Sequence, residues 1–559
     1  MALLLRTQIG ATSEDGQRAE LFVELGQLYV APLADSRHAE ANFRRAIEIS
    51  PYNSEALIAL GNLYEEQSQW KGAVEMLRRA EMLLADASAR AEVQRRLGRV
   101  HCQLHELQPA QEALQRAADA TPSPPLDLLR ELADVAKERE DGATEATVRA
   151  LLADRVDGEE ERKTLRRRVA ILAEESLDDD DRAVTSWQQL LTLDPLDLQA
   201  TERLAAIYGR IGHRAAADQH LHAAVSHHRA ELTRAPFQTR LYKQLTAIFR
   251  WQRAFDPLYC AYITLSQLSG IGESELTFLR NYGERCNAQL PPSLTPEQYD
   301  RLLLPRAARG PLRELWHRAS SVLLKTLAVP PGQLGLRRGD RIAAKHPLHT
   351  EVKRIAEVLQ IPTADLWCLP KAPDAVVAAM LTKPVLLVSN EVVDRAKSLS
   401  PHDRFRIGHG LMELAEGAIL LRGRPVKTIQ AFVLALGVVT QQPLDLRGAE
   451  ASDEDVQQEK ERISQALGRR ERRKLGEVLA DLAQSLGQGD LADQTSALGS
   501  AAYRGGLVVS GDPLSALRAA LDMEEDRRSK QLADLLLYLI GDDYLRLRVE
   551  LGIAPQEKL

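Results

Sequence analysis

A ladder of small and large residues recurs along the first half of this chain and leaves that half few ways to fold. Leu25-Gly26, Tyr29, Ala39, Phe43, Ala46 and Pro51 set the pattern. Leu60-Gly61, Tyr64, Ala73, Leu77 and Ala80 repeat it, as do Leu97-Gly98, His101, Ala110, Leu114, Ala117 and Pro122. Gly26, Gly61 and Gly98 stand at steps of 35 and 37 residues. The ladder returns as Ala183, Trp187, Leu190 and Pro195, then as Leu204-Ala205, Tyr208, Ala217, Leu221 and Ala224. Weaker units carry Leu132-Ala133 within 126–156, and Tyr242, Leu245, Phe249 and Ala261 within 235–270. A step of this length holds two helices and their turns. Gly or Ala at the eighth position lets the first helix approach the second, and the large residue three places later is expected to fill the gap. Proline near the end stops the second helix.

These anchors resemble the tetratricopeptide (TPR) repeat, which implies an α-solenoid of roughly six or seven hairpins over residues 1–290. The resemblance also implies that the first helices line a groove for a protein partner. Counting from Gly26, Gly61, Gly98 and Ala205 places Gln27, Asn62, Glu65, Glu66, Arg99, Gln103 and Arg210 in it. A clamp for a C-terminal carboxylate needs several Lys and Asn residues there. Asn62 and two arginines stand among two glutamates instead, so an extended or helical segment held by several weak pairings is expected.

Composition agrees with a mostly α protein. Aromatic residues are only 4% of the 559, while Ala, Leu, Arg and Glu, all good helix formers, abound. The formal net charge of −7 supplies no basic field for nucleic acid. Cys102, Cys260, Cys286 and Cys368 form no CxxC and read as reduced thiols. The opening MALLLRTQIG lacks the basic start and long apolar stretch of a secretion signal. The best apolar run, Ile429 to Thr440, is too short to span a bilayer. A soluble, cytoplasmic protein without membrane insertion is expected.

Pro291-Pro292 breaks the repeat, and residues 291–559 follow another pattern. Leu312–Leu327 and His349–Gln360 read as amphipathic helices. Ala375–Met380 and Val385–Val388 flank a Lys-Pro turn and read as a β-hairpin. A short helix over Glu391–Lys397 follows, then Leu399-Ser400-Pro401 and a helix containing Arg404 to Leu414. That order resembles the core of the zincin metallopeptidases, which implies a smaller α+β domain with C-terminal helices. In that family a His-Glu-x-x-His helix places two histidines on one zinc, its glutamate activates water, and a later helix supplies a third ligand. Here His409 falls on the first histidine, Gly410 on the glutamate and Glu413 on the second histidine. The segment Ser500 to Asp512 resembles the third-ligand helix, with Gly499 at the ligand position. The resemblance therefore implies a pseudo-peptidase, with no catalytic residue, no cofactor and no metal. His409 and Glu413 are the residual metal candidates.

Other constellations read more simply. His213, His220, His222, His227 and His228 lack ligand spacing, and His346 with His349 is an HxxH beside a proline. Arg469 to Lys474 is a basic run without stacking aromatics, flanked by glutamates, and reads as a solvated helix face. Asp178 to Asp181 precedes a helix and favours its dipole; it lacks the EF-hand glycine and final glutamate. The function expected is a noncatalytic interaction scaffold. The alternative is a zinc-dependent metallopeptidase with an unorthodox site.

Overall fold

The computed structural model describes residues 1–31, 33–287, 289–369, 375–420, 424–446, 448–488, 490–523 and 529–555. Among them are 28 α-helices and one three-stranded sheet. The chain forms two compact units, Met1–Ala224 and Val225–Leu559, which divide inside the helix Arg214–Arg234. The change of sequence pattern at 290 lies further along the chain, within the second unit.

In the first unit a leading helix, Ala2–Ala11, is followed by helical hairpins. Their first helices are Asp15–Val30, Ser54–Glu66, Ala87–Gln103, Leu126–Glu138, Glu159–Glu175 and Leu198–Arg210. Polar side chains start many helices of the hairpins, first and second alike: Asp35, Asn53, Asp86, Asp141, Asp179 and Asp197 each accept a backbone N–H three residues on. Asp179 shows that the acidic run there caps a helix. The small residues work by close approach, but the gap filler differs from expectation. A Cβ placed on Gly98 would stand 2.5 Å from Leu114 Cγ, and one on Gly61 3.0 Å from Leu77 Cδ2. Gly26 meets Phe43 in the same way. The second helix fills the gap, because its large side chain lies directly across the crossing. Tyr64, three places after Gly61, packs instead over Gly72.

A second periodicity appears only in the backbone. Ala34, Ser68, His105, Glu140, Asp178, Gly212 and Arg253 all have left-handed φ values between 48° and 80°. Each lies in the turn between the two helices of one hairpin, which makes seven hairpins. The seventh, Thr239–Trp251 with Phe255–Leu268, belongs to the second unit.

In the second unit that hairpin is tied to the last helix, Asp542–Glu550. The fully buried Arg548 donates to Asp256 at 2.8 and 2.9 Å and lies between the rings of Tyr259 and Tyr544. Asn287 N–H donates to the Ile553 carbonyl at 3.0 Å nearby. The expected β-hairpin is present as β2 (Val376–Met380) and β3 (Pro384–Val388), antiparallel with Val376 opposite Val388. The strand β1 (Asp365–Cys368) was not expected; it runs parallel to β3, so the order is β1-β3-β2. Its four residues carry no alternation that would mark a strand.

The helix Pro401–Glu416 packs between this sheet and the helix Leu491–Ser510. Glycines make the fit. Gly410 faces the sheet, where a Cβ would stand 2.8 Å from Leu386 Cδ2. Gly408 faces Val509 and Gly506, and a Cβ on Gly506 would stand 2.7 Å from the Phe405 carbonyl.

Candidate functional site

The Leu-Ser-Pro entry is a capping box. Ser400 Oγ accepts the Asp403 N–H at 3.1 Å, and Asp403 accepts the Ser400 N–H at 3.0 Å. Arg395 holds the same carboxylate at 2.8 Å. Burial opposes ionisation of Asp403, yet these bonds outweigh it and keep its carboxyl below the usual range. The cap fixes where the following helix places His409 and Glu413. Both are buried, with His409 Nδ1 3.8 Å from Glu413 Oε2. The imidazole meets the Tyr503 ring edge to face at 4.5 Å and stacks on Phe405 at 6.2 Å.

Tyr503, not Gly499, therefore opposes His409 from the later helix. Gly499 lies one turn away against Gln531, where a Cβ would stand 3.2 Å from Gln531 Nε2. The glycines that set the crossing are Gly505 and Gly506. Among the described residues no group of three His, Cys, Asp or Glu side chains is placed to hold a metal ion. Four other histidines serve local structure. His220 Nε2 meets the Thr201 carbonyl at 3.1 Å, and His222 bonds the Asp218 carbonyl. His346 caps its helix by accepting from Leu348, and His349 meets the Ile342 carbonyl.

The seven residues expected in the groove lie on first helices, and four of them are already paired. Gln27 donates to Glu55 on the next first helix at 3.2 Å. Asn62 accepts from Arg96, and Arg99 donates to Glu131 at 2.6 Å. Arg210 pairs with Asp180. The pattern is general: Arg130 meets Glu161, Arg167 meets Asp197, and Arg203 meets Glu174 and Glu175. Every step between the first helices of hairpins one to six is thus bridged. Glu66 and Gln103 are exposed. Glu65 is half-buried, and its Oε1 accepts no hydrogen bond. Burial pushes its carboxyl above the usual range, with Arg96 and Arg99 opposing. Glu131 behaves oppositely: burial resists ionisation, but hydrogen bonds from Arg95 and Arg99 prevail and lower it.

A third feature was missed in the sequence. Glu416, at the end of the His409 helix, is 2% exposed and accepts from the Tyr299 hydroxyl at 2.5 Å and from Arg313 Nε and NH2, with His317 Nε2 3.4 Å away. Burial opposes its ionisation, yet hydrogen bonds from His317, Arg313 and Tyr299 bring the carboxyl down to about 2. This cluster forms one wall of a cleft of 570 Å³ between the helix Pro311–Leu327 and the segment from Gln360 to Ala364. The signal available was the stripe Arg313, Trp316, His317, Ser320 and Leu324, which follows one helix face and is not uniformly apolar.

No protein-family model matches this sequence, and no curated protein is similar to it. Similar solved structures include YrrB, a TPR protein with an unusual peptide-binding site, at 16% identity and TM-score 0.27, covering 36% of this chain and 98% of that one. The pHSP90 complex of the TPR2AB domain of yeast Sti1 aligns at 15% identity and TM-score 0.26, over 47% of this chain and 98% of the other. A tetratricopeptide repeat protein from Parabacteroides merdae aligns at 15% identity and TM-score 0.24, with the same coverage. The helical-hairpin repeat of this chain rests on its own geometry: the spacing of the hairpins, their glycine crossings and their repeated left-handed turns.

Proposed function

We propose that this chain is a noncatalytic scaffold that binds a protein partner along the first helices of its hairpins, at Gln27, Asn62, Glu65, Glu66, Arg99, Gln103 and Arg210. The carrying observation is the unbroken row of pairings between successive first helices. Side chains already held in place lose less freedom when a partner covers them, which favours binding at a surface of weak contacts. Residues 291–559 are read as a degenerate zincin-like domain, and the compartment as the cytoplasm. The pseudo-peptidase reading is supported by Gly410 at the base position and by Tyr503 opposite His409. Without a carboxylate base and a third ligand, no residue deprotonates a metal-bound water.

The test starts from a partner recovered by pull-down. Its affinity for the Asn62→Ala, Arg99→Glu double variant should fall about tenfold or more, about 1.4 kcal/mol. An unchanged affinity, with circular dichroism unchanged, would move the site elsewhere. Zinc-dependent cleavage of casein that is lost in His409→Ala would overturn the pseudo-peptidase reading.

A further inference from the structure

We propose that the cleft beside Glu416 binds a small organic carboxylate with an apolar body. The Trp316 indole N–H is already donated to the Leu414 and Ala415 carbonyls at 3.2 Å, so Trp316 offers the cleft only ring surface. Those bonds also occupy the carbonyls at the end of the Pro401–Glu416 helix. The Tyr299 hydroxyl is donated to Glu416. Glu416 itself is buried and saturated by its donors. What remains is mostly able to donate. Arg313 uses Nε and NH2 on Glu416, which leaves its NH1 corner. Ser320 and Thr363 add hydroxyls, and His317 adds its second ring nitrogen. Gln360 turns its amide nitrogen to the Glu357 carbonyl; of the two carboxylates in the lining, Glu416 is taken up by its donors and Asp300 is exposed.

Arg313 is thus the lining's one full positive charge, clamped in orientation by a buried carboxylate. A fixed guanidinium matches a carboxylate in geometry as well as charge. The apolar side chains of Leu324, Pro362 and Pro384 complete the lining around the Trp316 ring. A volume of 570 Å³ lies in the range of small-molecule sites. The cleft shape and single anchor favour a free small molecule.

The experiment uses the full chain and three probes that share one body: phenylacetate, phenylacetamide and phenethylamine. Saturation-transfer NMR should rank phenylacetate first, about tenfold or more above the amine. Ser320→Trp, which fills the cleft, should abolish the signal. Arg313→Lys retains a charge for Glu416 but removes the fork, and should weaken phenylacetate by about tenfold. Each variant is checked by its melting curve, and either one that folds suffices. The proposal is overturned if no probe binds, if the amine binds as well as phenylacetate, or if a folded variant binds phenylacetate like the parent.

Discussion

At the scale of single residues, glycines and one buried carboxylate carry the sharpest consequences. Gly61→Leu should overpack the crossing with Leu77 and cost about 1–3 kcal/mol, read from urea unfolding. An unchanged midpoint would mean that the helices do not cross there. Gly410→Glu should restore no peptidase activity and should lower the melting temperature, because any side chain at 410 runs into Leu386 in β3. Glu416 gives a pH signature. Its carboxyl lies near 2 in the folded chain against 4.5 ordinarily, so its contribution is fully present above about pH 4.5 and lost as pH falls toward 2. That contribution is on the order of 3 kcal/mol. Glu416→Gln should therefore flatten the acid limb of the stability curve, measured by thermal melts between pH 5 and 2. A limb of the same steepness would remove Glu416 as its source. Gly61 was legible in the sequence because its neighbours set a register. Glu416 was not: its partners Tyr299 and Arg313 lie more than a hundred residues away and reach it only in the folded chain.

At the scale of elements, the repeat hairpins were legible from small-residue spacing, and the β2–β3 hairpin from its turn. The strand β1 escaped because four residues are too few to show a period. The left-handed turns escaped because six of the seven residues are not glycine, so composition does not mark them. An L side chain in that region costs about 1–2 kcal/mol, partly offset because glycine loses more entropy on folding. His105→Gly, at an exposed turn, should therefore raise stability by up to about 1 kcal/mol in chemical denaturation. A clear loss would show that the His105 side chain does more than occupy a turn.

At the scale of the whole molecule, the second unit joins a seventh hairpin to helices far along the sequence. Arg548 in its cage of Asp256, Tyr259 and Tyr544 is the joint. A protease site inserted after Pro292 should yield two fragments that still co-elute in size exclusion, and Arg548→Met should make them separate. Separation without that substitution would show that the joint is too weak to hold them. The break at Pro291-Pro292 was plain in the sequence as a change of rhythm, but the Asp256–Arg548 contact across it was not, since no periodicity links the two. In the first unit the bridges join each hairpin only to the next. Such a chain behaves as a one-dimensional system with nearest-neighbour coupling, in which a local defect raises the energy of one junction and leaves distant ones untouched. Cooperativity there has a finite reach, so an array of this kind can fray at one end and remain competent at the other.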